Sequence, residues 1–269
     1  KAYGPDNPTV ASTLINLGSS WRDLGNPAKA RDLYERALTI QEQIYGPRHL
    51  NLTMVLRNLG TAWLHLGDPA KARNLIERAL TIQERALGPD HPEVAVTLDS
   101  LATAARVQGE WAEAQKLYER ALPILEKAYG PDHPAVGTAL DDLGTTWKAL
   151  GQPAKARALH EKALPILQRA YGPDHPEVAM AMCNLGAAWA DLGNVNKARE
   201  LYKEGVRILR ANFPDGHRNL TQAVLALRRV APDVIILDDG RIVDLAKDAD
   251  GRLVAPDLPR GSLPPPSIV

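Results

Sequence analysis

Apolar residues along the first forty positions follow a helical beat. Val10, Leu14, Leu17, Trp21 and Leu24 are separated by steps of 4, 3, 4 and 3, which draws one stripe along a helix. Gly25 then interrupts the pattern, and Asn26-Pro27 reopens it. A glycine suits the left-handed backbone that ends a helix, and a capping side chain followed by proline suits the start of the next. A second stripe follows through Ala30, Leu33, Tyr34, Ala37, Leu38 and Ile40. Two helices joined by so short a link run antiparallel.

The same paragraph of sequence is then repeated. Tyr3, Tyr45, Leu87, Tyr129 and Tyr171 are each 42 residues apart, and Phe213 continues the series. Five units follow at 3–44, 45–86, 87–128, 129–170 and 171–212, aligned without insertion or deletion. Val136, Leu140, Leu143, Trp147 and Leu150 restate the first stripe in the fourth unit, and Gly67, Gly109, Gly151 and Gly193 restate Gly25. Pro123 and Pro165 fall inside predicted second helices, where each removes a backbone hydrogen bond and predicts a kink rather than a stop. One helix pair cannot bury its own apolar face, so such units stack on one another. The small Gly18, Gly60, Gly144 and Gly186 are expected to let paired helices approach, with Trp21, Trp63, Trp147 and Trp189 filling the space between.

Between units stands a recurring joint, YGPDHP at 129–134 and 171–176. Its acid–histidine pairs suggest catalysis or a metal, but His49, His91, His133, His175 and His217 recur once per unit. Stacked helices hold equivalent side chains roughly 10 Å apart, whereas zinc ligands converge on one point at about 2 Å. The joint therefore reads as a helix stop and start, with the Asp or His as a cap. No catalytic residue, cofactor or metal site is predicted.

The stretches NLGSSWRDLGNPAKARDLYERAL (16–38), NLGTAWLHLGDPAKARNLIERAL (58–80) and DLGTTWKALGQPAKARALHEKAL (142–164) resemble tetratricopeptide repeats of the long, 42-residue kinesin light chain type found in bacterial signalling proteins. The resemblance implies an all-α, right-handed superhelical solenoid of antiparallel helix pairs. It also implies a concave groove, lined by the first helix of each unit, that grips a peptide of a protein partner. Carried over by position, the groove residues are Asn16, Asn58 and Asn184 with Asp142 at the aligned site, Arg57, Asp99 and Asp141 one residue earlier, and Arg22, Arg106 and Lys148 further along. An asparagine amide both donates and accepts, so a row of them can hold a peptide backbone without reading its sequence. The charged neighbours would add specificity. Arg31–Glu35 and Arg157–Glu161 read as i,i+4 surface pairs.

Some units depart from the pattern. The third has Ala102 and Ala105 where others carry Gly and Trp, and Trp111 where others carry Pro, as though Trp111 refilled the lost volume. The fifth has Gly205 for Ala, a departure expected of a terminal repeat. The Lys-Ala at 1–2 matches residues 127–128, which predicts a start in the tail of an earlier repeat of a longer protein.

Beyond the array, 213–232 predicts a capping helix, 233–257 a β-hairpin with Asp-Gly turns, and 258–269 a Pro-rich extended tail. That tail could also be a self-ligand occupying its own or a neighbour's groove, which gives an alternative reading as an autoinhibited module. Charge adds exclusions. The 32 basic and 32 acidic residues cancel, so no global field attracts nucleic acid or a membrane surface. The one cysteine, Cys183, forms no internal disulfide, which fits the cytoplasm.

Overall fold

The computed structural model describes residues 7–236, 242–247 and 253–254. The chain forms two compact units, 1–150 and 151–269. The first holds α1 (Pro8–Asp23), α2 (Pro27–Tyr45), α3 (Thr53–His65), α4 (Pro69–Leu87), α5 (Pro92–Val107), α6 (Trp111–Tyr129) and α7 (Pro134–Ala149). The second holds α8 (Pro153–Tyr171), α9 (Pro176–Asp191), α10 (Val195–Asn212), α11 (Arg218–Val230) and four short strands. The fold is all-α, of helices packed in successive pairs. In the first unit α1 packs on α2, α3 on α4 and α5 on α6, and each pair leans on the next. In the second, α9 packs between α8 and α10, and α11 closes on α10.

The caps are those the sequence signals. Asn26 and Asp68 accept the backbone N–H of Lys29 and Lys71 at 3.1 and 3.0 Å, with Pro27 and Pro69 at the first helical positions. Gly25 has φ +74° and Gly46 φ +82°, conformations that a Cβ would strain. Helices α6 and α8 run on through Pro123 and Pro165 without stopping.

The core alternates small residues with large aliphatic and aromatic ones. Ala11, Leu14, Ile15 and Gly18 are the buried positions of α1, while Ala30, Tyr34, Ala37 and Ile40 are those of α2. This corrects the first stripe. Leu17 and Leu24 are 46% and 74% exposed, whereas Leu59, the counterpart of Leu17, is 3% exposed. The apolar beat marks two flanks of a first helix. One meets its own partner helix, and the other meets the second helix of the repeat before it, which for α1 has no counterpart among the described residues.

The tryptophans are likewise not sealed between paired helices; Trp21, Trp63, Trp147 and Trp189 are half-buried. The space beside the small residue belongs to the second helix. A Cβ built on Gly18 would lie 2.6 Å from Tyr34 Cε1, and one on Gly60 2.7 Å from Ile76 Cγ1. Hydroxyl contacts tie two of these pairs together, Ser19 with Tyr34 at 3.0 Å and Thr103 with Tyr118 at 3.2 Å. Gly205 has a local reason beyond terminal position: a Cβ there would lie 2.6 Å from the Cys183 Sγ.

Strand β1 (Val234–Ile236) pairs antiparallel with β2 (Ile242–Asp244), Ile235 opposite Val243. Strands β3 (Ala246–Lys247) and β4 (Leu253–Val254) make a second short ladder. Arg199 of α10 holds this appendage, reaching Asp233 at 2.7 Å and Asp244 at 2.6 Å, with Lys203 reaching Asp244 at 2.7 Å. The Pro-rich tail, and with it the self-ligand reading, lies outside the described residues.

Candidate peptide-binding face

The joints between repeats carry the histidines. His49, His91, His133, His175 and His217 each accept, through Nδ1, the N–H two residues on, at 3.1–3.2 Å. Four of the rings also stack on the aromatic residue four positions earlier, with centroids 4.4–4.9 Å apart. Histidine here caps the following helix and covers the end of the preceding one.

Within the first unit, the first helices α1, α3 and α5 adjoin one another. Their polar side chains remain outside the core: Asn16 is exposed, and Asn58, Ser100 and Asp142 are half-buried. Arg57, Asp99, Arg106 and Asp142 are brought together across α3, α5 and α7. The Arg106 guanidinium donates to the Asp142 carboxylate on the next first helix, and Arg57 lies 3.6 Å from Glu93 on α5. Asp99 lies within electrostatic reach of both arginines. Burial, and then the Asp142 charge, push its carboxyl up to about 7, against the opposing pull of Arg106 and Arg57. Burial works against the Arg106 charge, yet the neighbouring Asp142 and Tyr118 hold its pKa above the ordinary value. Burial also raises the Tyr118 phenol.

The remaining predicted residues are dispersed. Arg22 turns to its neighbour Asp23 at 3.0 Å. Asp141 and Lys148 stand half-buried on α7, both engaged in contacts. Asn184 lies half-buried on α9, in the second unit. Cys183 beside it is buried.

Sequence reasoning missed the extent to which these charges satisfy one another. Arg106 and Asp142 are 36 residues apart, as are Glu84 and Arg120, so a search for opposite charges at that offset would have found the pairing. It also missed what the arginine near the start of four of the second helices meets (Arg31, Arg73, Arg157 and Arg199, with Gln115 at that position in α6). Arg31 pairs with Asp32 at 2.6 Å rather than with Glu35, and its guanidinium lies 5.3 Å above the Trp63 ring of the next repeat. Lys71 covers the same ring at 4.1 Å. In the second unit, Arg157 and Lys197 cover Trp189 at 4.8 and 4.0 Å, and Arg157 keeps its i,i+4 partner Glu161 at 3.7 Å. The half-buried tryptophans are thus bridging surfaces for cations.

Comparison with known proteins agrees with this architecture. The tetratricopeptide repeat profile matches residues 9–84, 63–106, 99–168 and 148–211. Among solved structures, the kinesin light chain-like, nearly identical TPR-like repeats of Podosopora anserina are 24% identical, with TM-score 0.63, covering 77% of this chain and 98% of that one. BtubC (BKLC) from P. vanneervenii is 24% identical with TM-score 0.65, covering 78% of this chain and 83% of that one. These likenesses concern the fold. No curated protein matches the sequence. Among the described residues, no helix is long and apolar enough to cross a membrane.

Proposed function

Because the chain belongs to the tetratricopeptide repeat family, generally a protein–protein interaction scaffold rather than an enzyme, we propose that its first-helix face binds an extended peptide of a protein partner. The observation that carries this reading is the row Asn16, Asn58 and Ser100, held outside the core on adjoining helices whose opposite faces are buried. Amides in such a row satisfy a peptide backbone. Asn184 would serve the same purpose on α9.

The charges refine the ligand. Arg57 pairs with Glu93 and Arg106 with Asp142, with Asp99 close to both arginines, so the face presents a polar, nearly neutral wall rather than a strongly charged one. A peptide of mixed sign, held chiefly through its backbone, fits such a wall. The protein would then act as the sensor or adaptor arm of a larger assembly, in the cytoplasm, without nucleic acid or membrane as ligand.

A peptide library displayed on phage tests this. Selected binders should lose at least about tenfold in affinity against Asn16→Ala/Asn58→Ala, the loss expected of two backbone hydrogen bonds. The variant should melt with the parent. Binders unaffected by this pair, or lost only on substitution of second-helix surface residues, would overturn the proposal.

A further inference from the structure

The joint between the first two repeats differs from the others in charge. It reads Gly46-Pro47-Arg48-His49-Leu50, where the later joints read Gly-Pro-Asp-His-Pro at 88–92, 130–134 and 172–176. The change of Pro to Leu alters the start of the next helix: a 3-10 turn, Leu50–Leu52, precedes α3. The change of Asp to Arg alters what the joint offers to the second helix beside it.

In the last of these joints the acid faces a cation, whereas the equivalent helix positions for Asp90 and Asp132 are Pro123 and Pro165. Asp174 lies 2.6 Å from the Arg207 guanidinium of α10, 33 residues on. The corresponding pair in the second repeat is Arg48 with Thr81. Both line one cleft of about 770 Å³ with Glu42, Arg78, Ile82 and Arg85. A cation thus stands at a joint position that elsewhere carries an acid, and the aligned helix position, Thr81, brings no carboxylate to it.

The cleft holds more positive charge than it neutralises. Arg78 is fixed by the Glu42 carboxylate and the Pro47 carbonyl, both at 2.6 Å. Arg48 and Arg85 are exposed, and among the described residues neither has a carboxylate partner. Three guanidiniums against one carboxylate leave a net charge of +2. Guanidinium forks match tetrahedral oxyanions bidentately. A phosphate monoester carries roughly −1.5 to −2 at neutral pH, whereas a single carboxylate would cancel only half of the excess.

We infer that this cleft, on the second-helix side of the first two repeats and separate from the first-helix face, binds the phosphoryl group of a phosphorylated side chain in a protein partner. Arg48 and Arg85 supply free donors, and Arg78 is a fixed cation between them and Glu42. The cleft is far larger than a phosphate, which leaves room for the chain that carries it. The assignment does not depend on the first-helix face binding peptide.

The test is an NMR titration that follows the Arg48 and Arg85 Nε–Hε resonances. The probes are a Gly-Gly-phosphoserine-Gly-Gly peptide, its unphosphorylated form, the same peptide with two glutamates, and vesicles containing a phosphatidylinositol phosphate. The phosphopeptide should move both resonances, bind at least about tenfold tighter than the serine form, and be displaced by inorganic phosphate. Arg48→Asp restores the residue that the other joints carry, so the chain should fold, and the phosphopeptide affinity should fall at least about tenfold. Asn16→Ala/Asn58→Ala should leave it unchanged. Equal binding of the serine or glutamate peptide, an unchanged affinity in Arg48→Asp, or binding of vesicles without binding of phosphopeptide would each overturn the assignment.

Discussion

Replacing Asp99 by Asn should remove a pH dependence that one carboxyl imposes on the first unit. Asp99 lies among Arg57 of α3, Arg106 of its own helix, Asp142 of α7 and Tyr118 of α6. Burial disfavours its charge most, the Asp142 carboxylate adds repulsion, and the two arginines only partly offset them, so the group moves from 3.8 to about 7. In the unfolded chain it loses its proton near pH ~4, and in the folded chain only near pH 7. Between those values the folded state binds more protons, so stability falls as pH rises. Moving from 3.8 to about 7 corresponds to ~4 kcal/mol of stability present below pH ~4 and absent above pH 7. Urea denaturation of parent and Asp99→Asn at pH 4 and pH 8 reads this contribution together with its coupling to Asp142, because groups remote from Asp99 titrate alike in both proteins. The variant should gain ~4 kcal/mol relative to the parent between the two conditions. A carboxyl-carbon NMR titration reads the midpoint directly. Asp142→Asn should lower that midpoint, and Arg57→Gln should raise it. A midpoint near 4, or a stability difference that does not change with pH, would refute the account.

Packing and capping give further expectations. Gly205→Ala should destabilise the second unit by about 1–3 kcal/mol through overpacking against Cys183, and Cys183→Ala in the same chain should recover most of that loss in a double-mutant cycle. Gly18→Ala, which meets the Tyr34 ring at 2.6 Å, should be costly, whereas Gly186→Ala, with its nearest atoms at 3.4 Å, should be tolerated; thermal melts of the two variants decide it. His133→Ala should lose about 1 kcal/mol with the cap, and His133→Asn should retain most of it, so equal urea midpoints for the two would contradict the capping role.

The sequence by itself determined the helix pairs and their joints, because these depend on local chemistry repeated at a fixed interval. Glycine at a positive φ, Asn or Asp ahead of Pro, and His ahead of Pro each act within a few residues, so reading along the chain was enough to find them. The second-helix core, Ala30, Tyr34, Ala37 and Ile40, was legible for the same reason. Other features required the tertiary structure. Whether an apolar residue of a first helix is buried depends on a neighbouring repeat, so Leu17 and Leu59 look alike in sequence and differ in exposure. Tryptophan looked like core, yet its rings lie under Arg31 and Lys71 or under Arg157 and Lys197, because those cations come from the flanks of other helices. The charges of Arg57, Asp99, Arg106 and Asp142 looked available to a ligand, and stacking turned them toward one another. Periodicity fixes which residues share a helix face; only the packing of one helix on another decides what that face meets.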